Sequence, residues 1–247
     1  MNYRGRMMAA ARSVLARKGI VLGKAPLPNR LDHALTRVLS AYEIDCVLDV
    51  GANRGQFARF LRERCAWKGL IHSFEPVHST FIELDLAMGD DPAWRGSEMA
   101  LGSKSGTTRI HHFRDSPWLD SVLPPSEYGR RRLGGLDSRA DENVVALERL
   151  DGVIDTSVPS SARAILLKVD AQGSDLEVLR GAQGCLRRIS AVLLELSAIA
   201  VYEGLPPLGT SIQEVMTLGF DPVGFFPVSR DPDFRVVEFD SLFVRRP

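Results

Sequence analysis

Apolar residues recur three and four positions apart at Leu31, Ala34, Leu35, Val38 and Leu39, which predicts a helix over residues 31–42. The pattern then tightens into a β-rich run over 45–50, closed by Gly51. Helical spacing returns over 56–65. A strand over 70–75, a helix over 77–88 and a third strand over 98–101, ended by Gly102, follow. The rhythm breaks next. Residues 107–113 and 143–147 are β-rich, and residues 114–140 between them carry prolines, glycines and serines. Alternation resumes with a strand over 164–170, a helix over 175–182, a strand over 191–196 and a helix over 210–218. Two closing runs, 220–227 and 235–244, have only a turn at 229–233 between them, which predicts an antiparallel hairpin.

Strands that alternate with helices require parallel crossovers, so the expected fold is α/β with a doubly wound sheet. One domain over 43–247 is expected, with an inserted strand and loop segment at about 106–148 that is too short and polar for a core of its own. Residues 1–42 form a basic arm followed by a helix.

Composition narrows the function classes. The 247 residues are 45% hydrophobic, enough for one substantial core. The formal net charge is zero, so no basic field points to nucleic acid as a partner. Three cysteines, Cys46, Cys65 and Cys185, show no pair spacing; a reducing, cytoplasmic setting is expected. No apolar run approaches a membrane span. Residues 1–30 hold seven basic and no acidic residues, and Arg12, Arg17 and Lys18 interrupt every stretch a signal peptide would need. A solvated helical arm is expected there, with peripheral contact to anionic lipid as the most a membrane role would amount to.

The chemistry starts at the turn after the first strand. Doubly wound sheets bind ligands at the carboxyl ends of strands where the strand order reverses. Gly51 permits a tight turn there, and Gly55 opens the next helix, whose N-terminal amides favour a carboxylate. Asp49, at the strand end, suits the ammonium of an amino-acid ligand. A dinucleotide fingerprint would need a middle glycine where Asn53 stands, so a dinucleotide-binding oxidoreductase is disfavoured. Glu75 ends the second strand about 20 residues on, where an acid can accept both ribose hydroxyls. Pro76 then stops the strand.

Five segments, taken in order, resemble the FkbM family of methyltransferases. They are Asp49-Val50-Gly51-Ala52-Asn53-x-Gly55-x-Phe57, then Phe74-Glu75-Pro76, then Ala100-Leu101-Gly102, then Leu167-Lys168-Val169-Asp170-x-Gln172-Gly173 running into Asp175-Leu176-x-Val178-Leu179-x-Gly181-Ala182, and Leu194-Glu195-Leu196-Ser197. The resemblance runs from about Asp45 to the C-terminus. It implies a Rossmann-like seven-stranded sheet, S-adenosylmethionine as cofactor, and O-methylation of a saccharide or secondary-metabolite hydroxyl. By the same analogy Asp49, Gly51, Asn53 and Gly55 line the methionine end, and Glu75 holds the ribose. Ala100 and Leu101, ending the third strand, border the adenine, and Phe57 and Pro76 are further cofactor-binding candidates. Family members often carry Asn-Ser or Ser-Ser in the inserted loop; here Asp120-Ser121 stands, so only Ser121 matches as a cofactor residue.

Methyl transfer to oxygen needs in-line alignment and usually a base. Asp170, ending the fourth strand beside the first, is the first candidate for that base. Glu195 is the second, because it interrupts the apolar run Val192-Leu193-Leu194 and a buried acid there needs a partner or a role. An ion pair with Lys168 is its plain alternative. A divalent cation is not expected, although Asp170 and Glu195 are the oxygen ligands that would share one. His111 and His112 point to opposite faces of a strand, which disfavours a two-histidine metal site. His78 is the histidine expected nearest the cofactor. In the inserted loop Trp118 and Tyr128 are candidates to stack on an acceptor, and Arg130, with Arg131 and Arg132, to hold an anionic group. A non-catalytic cofactor-binding protein is the remaining alternative, opposed by the acids at the strand ends. The expected partner is a small-molecule or saccharide acceptor.

Overall fold

A computed structural model describes residues 30–113, 119–132 and 141–246. Helix α1 (Leu31–Ala41) buries Leu35, Val38 and Leu39, the stripe its spacing predicts. Five segments then build one side of a sheet: β1 (Cys46–Val50), α2 (Gln56–Glu63), β2 (Leu70–Phe74), α3 (His78–Met88) and β3 (Trp94–Ser97). A second, three-stranded sheet follows from β4 (Ala100–Leu101), β5 (Gly106–His112) and β6 (Asp141–Glu148), with helix α4 (Glu127–Arg132) between β5 and β6. Helix α5 (Leu150–Ser157) leads back to β7 (Ile165–Val169), α6 (Asp175–Gly181), β8 (Ile189–Ser197) and α7 (Leu208–Thr217). The hairpin β9 (Phe220–Arg230) and β10 (Val236–Arg245) closes the chain.

The main sheet has seven strands in the order β3-β2-β1-β7-β8-β10-β9. Neighbours are parallel except around β10, which runs antiparallel to both β8 and β9. Helices α1, α2 and α3 pack on one face, through Leu35, Leu61 and Leu84 against Val47, Leu166 and Leu193. Helices α5, α6 and α7 cover the other, through Ile154, Val178 and Val215 against Leu48, Leu167 and Leu194. Strand order reverses between β1 and β7, so the crevice a doubly wound sheet offers to a ligand opens there.

Two expectations need correction. The third strand of the sheet is Trp94–Ser97, not 98–101; Ala100 and Leu101 start the second sheet, paired with Leu147 and Glu148 of β6. Helix α5 has no counterpart in the sequence pattern. The inserted sheet packs Ile110, Val145 and Leu147 against Ala100 and Val77, and so leans on the entrance of α3. Among the described residues no helix is long and apolar enough to cross a membrane. The basic arm, apart from Arg30, and Trp118 lie outside the described residues.

Candidate active site

A cavity of about 470 Å³ lies over the carboxyl ends of β1, β2, β7 and β8. Its wall begins at the turn that follows β1. Gly51 has φ +69°, and a Cβ there would sit 2.0 Å from the Asp170 carbonyl oxygen. Only glycine lets the exit of β1 pass this close to the exit of β7. Asn53 also takes a left-handed conformation, φ +49°, and its side-chain oxygen accepts from the Arg54 N–H at 2.8 Å. Gly51, Asn53 and Phe57 all line the cavity. Gly55 does not. Its φ is +77°, and a Cβ there would meet Met88 and Leu84 at 3.0 and 3.1 Å, so this glycine serves the packing of α2 on α3.

Glu75 stands at the end of β2 and is 5% exposed. One carboxylate oxygen accepts from the Asn53 N–H at 2.9 Å, the other from the Val77 N–H at 3.0 Å. Burial raises its pKa to about 7 against those two bonds. Each oxygen keeps a further lone pair, and the group lines the cavity with Pro76. Beyond it Met99, Ala100, Leu101, Ile110 and Val122 form an apolar slot.

Asp49 is not part of this wall. It is wholly buried, and its carboxylate pairs with Lys168 Nζ at 3.0 Å. Strand alternation explains the placement, since Asp49 and Lys168 are register partners on β1 and β7 and leave the same face. Burial opposes the Lys168 charge, but Asp49 and Asp170 outweigh it and raise the ammonium's pKa. Lys168 also donates to the Gly51 carbonyl oxygen at 3.0 Å and lies 5.6 Å from the centre of the Phe57 ring. An amino-acid ammonium therefore finds Asp49 already neutralised, and the expectation that Asp49 takes it is corrected.

The structure brings the two candidate bases together. Gln172, in a left-handed conformation at φ +44°, donates its side-chain amide to Asp170 at 2.7 Å and to Glu195 at 2.9 Å. Tyr202 donates its hydroxyl to the Gln172 side-chain oxygen at 2.9 Å and so orients that amide. Burial, then the nearby Asp170, pushes the Glu195 pKa well above the usual carboxylate range. Lys168 pairs with Asp49 rather than Glu195. Among the described residues no three His, Cys, Asp or Glu side chains converge as a cation site.

The inserted segment departs from expectation. Ser121 is 2% exposed; its hydroxyl donates to the Gln172 carbonyl at 2.7 Å and accepts from the Leu123 N–H at 3.0 Å. It anchors the insert and does not line the cavity, whereas its neighbour Asp120 does. Asp120 accepts from the Phe113 N–H at 2.8 Å and bonds His112 Nδ1 at 2.7 Å; burial nevertheless raises its pKa. The histidine next to the cavity is thus His112, while His78 is exposed and pairs with Glu98 at 2.9 Å. Tyr128 packs beside Tyr202 and Val237. Arg130 donates to the Pro125 carbonyl at 2.7 Å and to Glu203 at 3.2 Å. Neither reaches the cavity wall.

Residues 49–226 match the family model described as a methyltransferase FkbM domain. The chain belongs to the FkbM methyltransferase family. Curated relatives include "Methyltransferase sdnD" of Sordaria araneosa, 28% identical over 155 residues, and "Methyltransferase 1" of Beauveria bassiana, 22% identical over 144 residues. Each match covers 55% of this chain and 59% or 57% of the relative, so the chain spans little more than half their length. Among solved structures, an rRNA methylase from Streptococcus thermophilus is similar with a TM-score of 0.48 and 10% identity, covering 90% of this chain and 100% of that one. Aeropyrum pernix fibrillarin with bound S-adenosyl-L-methionine is similar with a TM-score of 0.43 and 15% identity, covering 81% and 66%.

Three wall residues, Lys168, Gln172 and Asp240, took the roles described here only from the structure. Lys168 and Gln172 stood inside a motif but had visible partners only once the strands were in register. Asp240 left a trace, a carboxylate in the middle of the apolar strand Val236–Arg245, which went unread.

Proposed function

We propose that this protein transfers a methyl group from S-adenosylmethionine to a hydroxyl oxygen of a small-molecule acceptor. The observation that carries the reading is Glu75, a buried carboxylate facing the switch-point cavity with lone pairs left for two vicinal hydroxyls. The rest of the wall fits the same ligand. The apolar slot from Met99 to Val122 suits a flat base. Asn53, Gln56 and the amide end of α2 suit a carboxylate. A dinucleotide fits less well, because the Asn53 side chain occupies the place where a pyrophosphate needs bare backbone.

When bound, S-adenosylmethionine supplies an electrophilic methyl group. The protein's own residues align and deprotonate the acceptor. Asp170 is the base: it stands at the end of β7, next to Gly51, and takes the hydroxyl proton as the oxygen attacks. Gln172 is a positioning residue that fixes the Asp170 carboxylate through its 2.7 Å bond. Phe57 and Phe60 line the site and lower the polarity of its wall.

Calorimetry with S-adenosylmethionine, S-adenosylhomocysteine and NAD tests the cofactor. The first two should bind and NAD should not; NAD binding without response to the methyl donor refutes the reading. Incubation of a cell extract with carbon-13 methyl donor tests the chemistry. The chemical shift of the transferred methyl should be that of an ether, and an amine or carbon methyl would refute O-transfer.

A further inference from the structure

The half of the cavity over β7, β8 and β10 has a wall rich in carboxylates. Glu195 and Asp240 are register partners on β8 and β10, so their side chains leave the same face with Cβ atoms about 4.5–5.5 Å apart. Asp170 joins them from the end of β7, and all three line the cavity. Like charges placed directly opposite destabilise a sheet. Burial, with Asp170 nearby, lifts Asp240 to about 6.

Positive charge is short here. Among the described residues Lys168 is the one basic side chain on the wall; it pairs with Asp49 at 3.0 Å and with Asp170 at 3.7 Å, on the β1 side, and reaches neither Glu195 nor Asp240 as an ion pair. Gln172 shares a single amide nitrogen between Asp170 and Glu195, while Asp240 has no hydrogen-bonding or ion-pairing partner among the described residues. A second observation stands on a different element. Glu195 and Ser174 also border a side chamber of about 170 Å³, on whose wall Asp175 of α6 is 3% exposed with neither carboxylate oxygen hydrogen-bonded. Such groups are costly to bury and are normally satisfied by a donor. Leu31, Phe57, Phe60 and Val228 add apolar surface to the cavity lining.

We infer that the acceptor carries a protonated amine, seated between Glu195 and Asp240, with an apolar body against Phe57 and Phe60 and its hydroxyl at Asp170. The inference rests on the methyl-donor reading of the neighbouring half. It also assigns specificity: an anionic acceptor meets repulsion from every acid of this wall, and Arg130, which lies away from the cavity, gives no relief.

The test uses the protein loaded with S-adenosylhomocysteine and an isosteric series that keeps one hydroxyl. The probes are 4-aminocyclohexanol, cyclohexane-1,4-diol and 4-hydroxycyclohexanecarboxylate, titrated by NMR. The ammonium probe should bind about tenfold tighter than the diol, as a charge-assisted hydrogen bond provides, and the carboxylate weakest. Asp240→Asn and Glu195→Gln should each erase most of that preference with S-adenosylhomocysteine still bound. Equal binding of diol and ammonium by the unmodified protein overturns the inference alone, and needs no variant to fold. A large preference for S-adenosylmethionine over S-adenosylhomocysteine, lost in Asp240→Asn, with no ammonium preference, also overturns it and assigns the acids to the donor's sulfonium. Failure of the unmodified protein to bind S-adenosylhomocysteine overturns the donor reading and the inference with it.

Discussion

Glu75 shows how a single buried carboxylate links stability to ligand binding. Its pKa of about 7 lies above the ordinary 4.5, because burial disfavours the ion more than two backbone N–H bonds favour it. The folded protein therefore holds this proton more tightly than the unfolded chain, and its contribution to stability falls as pH rises from about 4.5 to about 7. Ligand binding runs the other way. Only the ionised group offers all its lone pairs to a pair of hydroxyls, so affinity for S-adenosylmethionine should rise several-fold from pH 6 to pH 8. Calorimetry across that range checks it, and Glu75→Gln should flatten the profile and weaken binding at pH 8 by about tenfold or more. Asp49 makes the complementary case. The sequence shows it as an acid at a strand end but not its register partner, which is why a ligand role was expected where an ion pair exists. Lys168→Met leaves Asp49 charged and buried with only the Ser73 hydroxyl at 3.5 Å as a partner, and should cost about 3–5 kcal/mol in urea denaturation. Asp49→Leu combined with Lys168→Met should recover much of that loss.

At the scale of elements, the site is the junction of two strand ends and a docked insert. Gly51→Ala places a methyl group 2.0 Å from the Asp170 carbonyl oxygen at φ +69°, so β1 and β7 must part at their tips. The expected cost is about 3 kcal/mol, with binding of S-adenosylmethionine lost even where the variant is folded; thermal unfolding and calorimetry measure the two effects separately. Most elements were legible because their polarity follows a clean period, as in α1, or because they form a short, almost unbroken apolar run, as in β7. The failures have physical causes. Helix α5 reads Leu-Asp-Gly-Val-Ile-Asp-Thr-Ser, a run of weak helix formers that is helical because Leu150 and Ile154 enter the core. Strand β3 is four residues long, with Arg95 and Gly96 inside it, and Gly96 is needed where a Cβ would meet the Trp94 ring at 2.6 Å. Both owe their form to tertiary packing that local pattern does not encode. The role of Ser121 was hidden for the same reason, since its partner Gln172 lies 51 residues away.

At the scale of the whole molecule, alternation along the chain was enough to expect a doubly wound sheet with a terminal hairpin, and the reversal between β1 and β7 then determines where a ligand sits. That location has a measurable consequence. The cavity wall draws on β1, β2, β7, β8, β10, helix α2 and the inserted segment, so one bound molecule ties together parts that are distant in sequence. A ligand that binds only the folded state adds about 2.7 kcal/mol at a hundredfold excess over its dissociation constant. For a chain of this size each kcal/mol is worth about 2–4 °C, so S-adenosylhomocysteine should raise the melting temperature by about 5–10 °C, and NAD should leave it unchanged. Hydrogen exchange under the same conditions should slow together at three places distant in sequence: the turn at 51–55, the insert at 119–123 and the turn at 170–174. The coupling between the last two runs through the Ser121 to Gln172 bond, so Ser121→Ala should leave protection at 51–55 intact and release the other two. Protection confined to 51–55 in the unmodified protein would mean that the donor engages β1 and β2 alone and that the insert takes no part in holding it.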